Sequence, residues 1–550
     1  MVNKEIAQQF NLLANLMELH GENTFKTRAY SNAYLVLKKW DEPLDQMIEA
    51  EIDAIPGIGS SAIAKTKEYL SNGKIEALEK LKTITPEGIQ QLLSIKGLGP
   101  KKVRQIWDEL KVESPAELLY ACNENRLVKL SGFGLKTQED IRQKISYFLE
   151  SAHQLIYGNV EAELNAWLDG CQKTFPEHRM EWVGEMARLC PVISKLELLV
   201  APALSADQIN SLKSGTDVES EDENNASIEV SGRFSIFLHG TSQDQFNKRW
   251  CELTMSEPLL KQMASSKSFL ANDSVELIVK ENGFNGLPFE CMDMPGIESS
   301  TPERWKDLIT QQDLKGIIHN HSTWSDGIHT LEEMVIYVRE QGYEYFVICD
   351  HSRSAFYANG LSAERVIEQM KEIDALNLKL APFRIFKGIE SDILGDGALD
   401  YDKDIMERFD MIVASVHSNL RMDETKAMSR LIAAIENPYT RILGHPTGRL
   451  LLARQGYPID HRKVIDACAA NNVVIELNAN PLRLDMDYRW MEYCMEKNVL
   501  VSINPDAHSR SQVELVKYGV IAARKGGLKK QFCLNAKSLA EFEKWIKTKN

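Results

Sequence analysis

Six short apolar runs in the second half of the chain each lead into a residue type that can hold a metal ion, and this repetition restricts the fold more than any other feature. Gly316-Ile-Ile enters His319-Asn-His321, and Asp326 follows in a turn closed by Gly327. Tyr345 to Cys349 leads to Asp350-His351, Phe383 to Phe386 leads to Gly388-Ile-Glu390, and Met411 to Val416 leads to His417. Arg441 to Leu443 leads to Gly444-His445-Pro446, and Val499 to Ile503 leads to Asp506 and His508. On an extended strand the His319 and His321 side chains point to one side. A single His-x-His pair is weak evidence, because histidines in strands are commonly satisfied by hydrogen bonds within the protein. Recurrence supplies the weight.

Helix-patterned segments separate these runs, at Leu331 to Glu340, Ala363 to Leu376, Glu424 to Ile435 and Asp460 to Ala470. Strands alternating with helices predict a parallel sheet, and ligand types at the carboxyl ends of its strands predict one shared mouth. The expected set is His319, His321, Asp326, His351, Glu390, His417, His445, Asp506 and His508. Nitrogen and oxygen donors without a thiolate suit Zn²⁺, Mn²⁺ or Fe²⁺ better than Ca²⁺. The chemistry that fits is hydrolysis of a phosphate ester, with Glu390 and Asp506 at the reacting centre and a cation-acidified water as nucleophile. Arg353, Lys387, Arg449 and Arg483 are candidates for gripping phosphate oxygens, Arg353 and Arg449 foremost. Asp350 is expected to orient His351, and His329 and His461 fall outside the pattern.

At 550 residues the chain has room for three or four domains. No run approaches the ~18 apolar residues that would span a bilayer, and the start lacks a basic-then-apolar signal, so no membrane contact and a cytoplasmic location are expected. Nine cysteines without a C-x-x-C pair read as reduced and structural. A net charge of −15 requires any nucleic-acid contact to be local.

The first 150 residues supply such contacts. Ile55-Pro-Gly57-Ile-Gly59, Ile95-Lys-Gly97-Leu-Gly99 and Leu130-Ser-Gly132-Phe-Gly134 share one form, Gly-apolar-Gly opening a helix-patterned run. The paired glycines permit a tight turn that leaves backbone N–H groups exposed at a helix start, where a phosphate can sit. Lys101 and Lys102 follow the second pair, Lys136 the third, and Lys65 comes a turn after the first. Three such turns in register predict helix-hairpin-helix motifs that bind the DNA backbone without reading sequence.

The strings HNHSTWSDG, CDHS, KGIES, VASVHS, LGHPTGRL and INPDAHS, in that order, resemble the PHP (polymerase and histidinol phosphatase) domain. The resemblance implies a distorted seven-stranded β/α barrel with three divalent ions. It further implies that His319, His321, Glu390 and Asp506 share one ion, that Asp326, His351 and His508 hold a second, and that Glu390, His417 and His445 hold a third. Asn359-Gly-Leu361, Asn478-Ala-Asn-Pro481 with Arg483-Leu-Asp485, and Lys517-Tyr-Gly519 are similar to the PHP domain fused behind bacterial X-family DNA polymerases. Phe25-Lys-Thr-Arg-Ala-Tyr30-Ser-Asn-Ala33 resembles the lyase-like domain of that family. Lys65 then stands where its Schiff-base lysine would fall, and Lys26 and Tyr30 match 5′-phosphate-pocket positions; for Lys65, phosphate binding is the preferred reading.

In the family, a nucleotidyltransferase palm would occupy the middle of the chain, and here the sequence departs from the pattern. The metal-binding Asp-x-Asp would fall on Lys195-Leu-Glu197, and the serine after Gly184 is Glu185. No carboxylate appears on Arg233 to Leu238, and the family's thumb motif is missing, with Leu253 to Glu257 near its place. An ammonium cannot hold Mg²⁺, so polymerase activity is expected to be lost. The acidic stretch Asp217 to Glu223 reads as a solvated loop and residues 286–312 as a linker.

The expected architecture is thus multidomain. A lyase-like helical domain over 1–80 precedes a helical, fingers-like region over 81–150, both all-α with helix-hairpin-helix motifs. A degenerate α+β palm/thumb-like region follows over 151–300, and an α/β PHP barrel over 313–550. The expected function is 3′-5′ trimming of gapped or damaged DNA ends, with abasic-site cleavage as an extension and a separate repair polymerase as a possible partner. The alternatives are a small-molecule phosphatase of the histidinol-phosphatase kind, a gap-filling polymerase that still works, and a DNA-binding scaffold without catalysis.

Overall fold

A computed structural model describes residues 2–548 except 41, 124–125, 152–153, 213–217, 221–224, 231–233 and 295. The chain gathers into two compact units, one over Met1–Ala152 and one over His153–Leu451 with Gln455–Asn550.

The first unit is all helical. Phe10, Leu37, Ile75, Leu78, Ile89, Val103, Leu118 and Ile145, on both sides of residue 80, belong to one buried core. Each such side chain, fully buried, contributes roughly 1.5–3 kcal/mol. In this unit α1 (Val2–Leu19) and α2 (Thr24–Leu37) precede the glycine pairs, and α3 (Ser60–Asn72), α4 (Pro100–Leu110) and α5 (Leu135–Ser151) each follow one. The first glycine of each pair takes a positive φ: 80° at Gly57, 95° at Gly97 and 84° at Gly132. The second does a different job, since Gly59 and Gly99 are extended N-caps of α3 and α4.

The second unit begins with a five-stranded sheet of β1 (Arg179–Val183), β2 (Leu196–Ala201), β3 (Val218–Ser220), β4 (Asn225–Val230) and β5 (Phe234–Gly240), in the order β1-β2-β5-β4-β3. Within the acidic stretch expected to be a loop, Val218–Ser220 pair antiparallel with β4; backbone pairing at the sheet edge needs no apolar alternation. The rest of that stretch lies outside the described residues.

Seven parallel strands follow: β6 (Gly316–Asn320), β7 (Tyr345–Ile348), β8 (Arg384–Asp392), β9 (Met411–Ser415), β10 (Ile442–Leu443), β11 (Val474–Asn478) and β12 (Val501–Asn504). They run in sequence order, and a parallel bridge between Asn320 and Ala507 joins the first edge to the last, giving a nearly closed β/α barrel. Helices α6 (Leu331–Glu340), α7 (Ala363–Leu380), α8 (Glu424–Glu436) and α9 (His461–Asn471) stand where the periodicity predicts them. Strand β11 was not among the expected ones.

The described residues of 286–312 are packed rather than loose. Glu290 and Cys291 are buried, Arg524 Nε donates to Glu290 Oε1 at 2.6 Å, and the buried Lys525 pairs with Asp293 at 2.8 Å. Tyr157 and Leu164 before the five-stranded sheet lie in the same apolar core as Ile317 and Ile503 of the barrel. The expected border near residue 300 therefore separates two folds that share one core.

Candidate metal centre

Each expected ligand is delivered by the carboxyl end of a barrel strand or the loop behind it. At β6 the pairing with β7 shifts between Ile317 and Asn320, and His319 takes a φ of 63°. Simple strand alternation is thus not what brings His319 and His321 together; the irregularity does, leaving their rings 5.4 Å apart. The following turn closes with Ser325 N and Gly327 N both donating to Ser322 O at 3.0 Å. A β-carbon on Gly327 would stand 2.7 Å from Ser322 Cα, so glycine is required for Asp326 to fold back over the histidines.

Glu390 is the hub. Its Oε1 lies 3.0 Å from His445 Nε2, 3.1 Å from His417 Nε2 and 3.3 Å from His319 Nε2. Its Oε2 lies 3.0 Å from His351 Nδ1 and 3.6 Å from His321 Nε2. Asp506 Oδ1 is 3.1 Å from His321 Nε2, and Asp326 Oδ1 is 3.3 Å from His508 Nε2. Three groups have donor atoms close enough to hold a cation: His321, Asp326, His351 and His508; His319, His321 and Asp506; and His351, Glu390 and His417. This differs from the expected partition, because His321 also stands with the Asp326 group and His351 is shared between two.

The donors fit divalent cations. His319 Nε2, with Glu390 Oε1 at 3.3 Å and Asp506 Oδ1 at 3.7 Å, and His321 Nδ1, with Asp326 Oδ1 at 4.0 Å, are buried without a well-formed hydrogen bond. The protein's own charges balance through protons. Burial alone would lower the His417 imidazole, but Glu390 and Asp392 push it up to about 10. Asp326 and Asp506 likewise lift His508 against burial to about 9. Burial, with His508 and His351 alongside, brings His321 down to about 3. Cations entering such a cluster displace protons from it.

Several supporting roles differ from expectation. Asp350 accepts hydrogen bonds from Ser322 N and Oγ at 2.8 Å, Ser325 Oγ at 2.5 Å and Gln369 Nε2 at 2.7 Å, so it braces the loop carrying Asp326. Arg449 donates to Asp487 at 2.6 Å and to Arg483 O at 2.9 Å, and also to Leu484 O; its guanidinium holds the 483–487 loop and is not free for phosphate. Lys387 pairs with Asp374 of α7 at 2.6 Å. Arg353 remains half exposed, 3.4 Å from Asp400, and Arg483 lies 3.8 Å from Asp506. His461 stacks on Trp490 at 4.7 Å, a structural role. Two buried carboxylates were missed. Asp392 Oδ1 is 2.5 Å from His417 Nδ1, and Glu476 Oε2 is 2.5 Å from His319 Nδ1. The signal for Glu476 was a lone acid inside the apolar run Val473-Val-Ile-Glu-Leu477.

In the five-stranded sheet the stretch expected to align with the polymerase aspartates holds Lys195 and Glu197. Lys195 Nζ lies 2.8 Å from Glu197 Oε1, and His239 of β5 approaches the same oxygen at 3.0 Å. Glu185 Oε2 accepts from the Ser194 and Lys195 backbone. In the helical unit Tyr30 is buried with its hydroxyl 2.7 Å from Ser61 Oγ, Lys65 lies 3.5 Å from Glu68, and Lys26, Lys101, Lys102 and Lys136 are exposed. Among the described residues no helix is long and apolar enough to cross a membrane.

Barrel and donor cluster together define a metal-dependent phosphoesterase that binds divalent cations. Residues 1–75 match a helix-hairpin-helix domain and residues 89–145 a SAM-like helix-hairpin-helix tandem. The chain is 33% identical to "DNA polymerase/3'-5' exonuclease PolX" of Bacillus subtilis over the whole length of both proteins. A "Probable phosphatase" of Caldicellulosiruptor bescii is 26% identical over 34% of this chain and 75% of its own length. "Probable phosphatase YcdX" of Escherichia coli is 26% identical over 29% of this chain and 62% of its own length. The chain belongs to the PolX family, the bacterial X-family DNA polymerases that carry a PHP domain.

Proposed function

We propose that this protein is a DNA-end-processing phosphodiesterase, a 3′-5′ exonuclease whose barrel carries the chemistry. The observation behind this reading is the gathering of Glu390 and eight other nitrogen and oxygen side chains at the carboxyl ends of the barrel strands. Three divalent ions, Zn²⁺, Mn²⁺ or Fe²⁺, would supply Lewis acidity and an acidified water there. Glu390 bridges the donor groups, and Asp506 and Asp326 hold the histidines on either side of it. Arg353 and Arg483 are the cations left to steady the non-bridging phosphate oxygens.

The helical unit holds the DNA backbone through the N–H groups at Gly59, Gly99 and Gly134 and through Lys65, Lys101, Lys102 and Lys136, with Lys26 and Lys65 toward a 5′-phosphate. Lys195, paired with Glu197, leaves the palm-like sheet a scaffold without nucleotide addition. The reduced, unpaired cysteines suit a cytoplasmic protein.

A second reading, a polymerase that also trims, is favoured by the printed name of the Bacillus subtilis relative. Incubation with Mn²⁺, labelled gapped DNA and nucleotides separates the two. Shortening of the labelled strand is expected; extension supports the second reading; retention without either overturns both. Release of phosphate from histidinol phosphate, with no cutting of DNA, would point to the small-molecule alternative.

A further inference from the structure

Glu476 sits in the middle of β11, wholly buried, and is not one of the nine donors. Its two oxygens meet four hydrogen-bond donors. Oε2 lies 2.5 Å from His319 Nδ1 and accepts from Asn504 Nδ2 at 2.8 Å. Oε1 accepts from Asn478 Nδ2 at 3.1 Å and from the His445 backbone N–H at 3.2 Å. A carboxylate offers about four lone-pair sites, so this one has none left for a cation.

We infer that Glu476 is a positioning residue: it fixes the tautomer of His319 and the backbone of His445, and so aims two members of the donor cluster at the metal centre. The inference rests on the metal-centre reading above. In the neutral imidazole, a carboxylate facing Nδ1 places the ring proton there and leaves Nε2 as the lone pair that a cation takes. That Nε2 has no hydrogen-bond partner, and it faces Glu390 Oε1 at 3.3 Å and Asp506 Oδ1 at 3.7 Å. A lone pair opposed to two carboxylate oxygens is favourable only with positive charge among them. His319 and His445 both have positive φ, 63° and 23°, which side chains other than glycine rarely adopt. Glu476 is bonded to both.

Glutamine has nearly the same shape but only one accepting oxygen. Its amide NH₂ must oppose either the His319 and Asn504 donors or the His445 and Asn478 donors. In the first arrangement His319 turns its proton to Nε2, into the position a cation needs. In the second the His445 backbone N–H loses its acceptor.

The test is metal binding rather than DNA cleavage. The full chain, stripped by chelator, is titrated with Mn²⁺ and with Zn²⁺ by calorimetry, and bound metal is counted by mass spectrometry. Glu476→Gln is expected to hold at least one ion roughly 10- to 100-fold more weakly than the natural protein. Equal stoichiometry and equal affinity would overturn the inference while leaving the nuclease reading intact; no divalent ion on the natural protein would overturn both. Should the variant fail to fold, nitrogen NMR of selectively labelled histidines in the natural, metal-loaded protein decides. A proton on Nδ1 of His319 supports the inference, and a proton on Nε2 refutes it.

Discussion

The Lys195 ammonium lies 2.8 Å from the Glu197 carboxylate on strand β2, in the stretch that the resemblance to X-family polymerases aligns with two metal-binding aspartates. An ammonium already occupies the one carboxylate there that a magnesium ion could use. With His239 on the same oxygen, Glu197 already has two nitrogen partners.

From this pairing we predict no primer extension by the natural protein with Mg²⁺ and nucleotides on gapped duplex. Glu197→Ala should leave the rate of DNA shortening unchanged. Gel analysis of an end-labelled primer reads both, and any extended product contradicts the prediction.

At the metal centre, His417→Ala removes one of the imidazoles on Glu390. DNA shortening and hydrolysis of a chromogenic phosphodiester should both fall by at least about 100-fold, beyond the roughly 10- to 100-fold typical of groups that only support a ligand. Chelation should abolish the same two activities and leave DNA binding in place. Survival of hydrolysis in chelator would rule out the metal-dependent mechanism.

The hairpin lysines make a separate prediction. Removing Lys101, Lys102 or Lys136 should weaken binding to all DNA sequences alike and reduce the salt slope of log K by about one each. Hydrolysis of a small chromogenic diester should not change. Fluorescence anisotropy across a salt series is the measurement, and a change confined to one DNA sequence would contradict it.

Stability should carry an acid edge from Asp293. Burial would raise its carboxyl, but Lys525 and Arg188 outweigh burial and hold it below the ordinary 3.8. A depressed carboxyl stabilises the fold above the unfolded value, and this contribution is lost as pH falls through the folded one. Asp293→Asn removes the carboxylate partner of the buried Lys525, leaving it the Glu290 carbonyl, and should cost about 3 kcal/mol near neutrality. Its melting temperature should also fall less steeply than that of the natural protein below about pH 4. Parallel melting curves for the two proteins would refute the assignment.

Much of the barrel was legible because its strands are buried on both faces and read as continuous apolar runs. The helices between them keep a clear helical period, and α6 spans Leu331–Glu340 as predicted. β11 escaped because Glu476 interrupts its run and no ligand follows it. The packing of residues 286–312 escaped for a related reason: a stretch broken by prolines looks like a linker until its partners Arg524 and Lys525, more than two hundred residues onward, come into view.

The sequence by itself determined six of the seven barrel strands, the chemical identity of the donors, the glycine turns and the Lys195-Leu-Glu197 departure from the polymerase pattern, since each is written in local residue type and spacing. Only the tertiary structure decided how the donors group around Glu390, that Arg449 is engaged with its own loop, and that Glu476 and Asp392 back the histidines. These relationships join residues as far as 185 positions apart in the chain. Local pattern carries no information about which distant side chains the barrel's closure will press together.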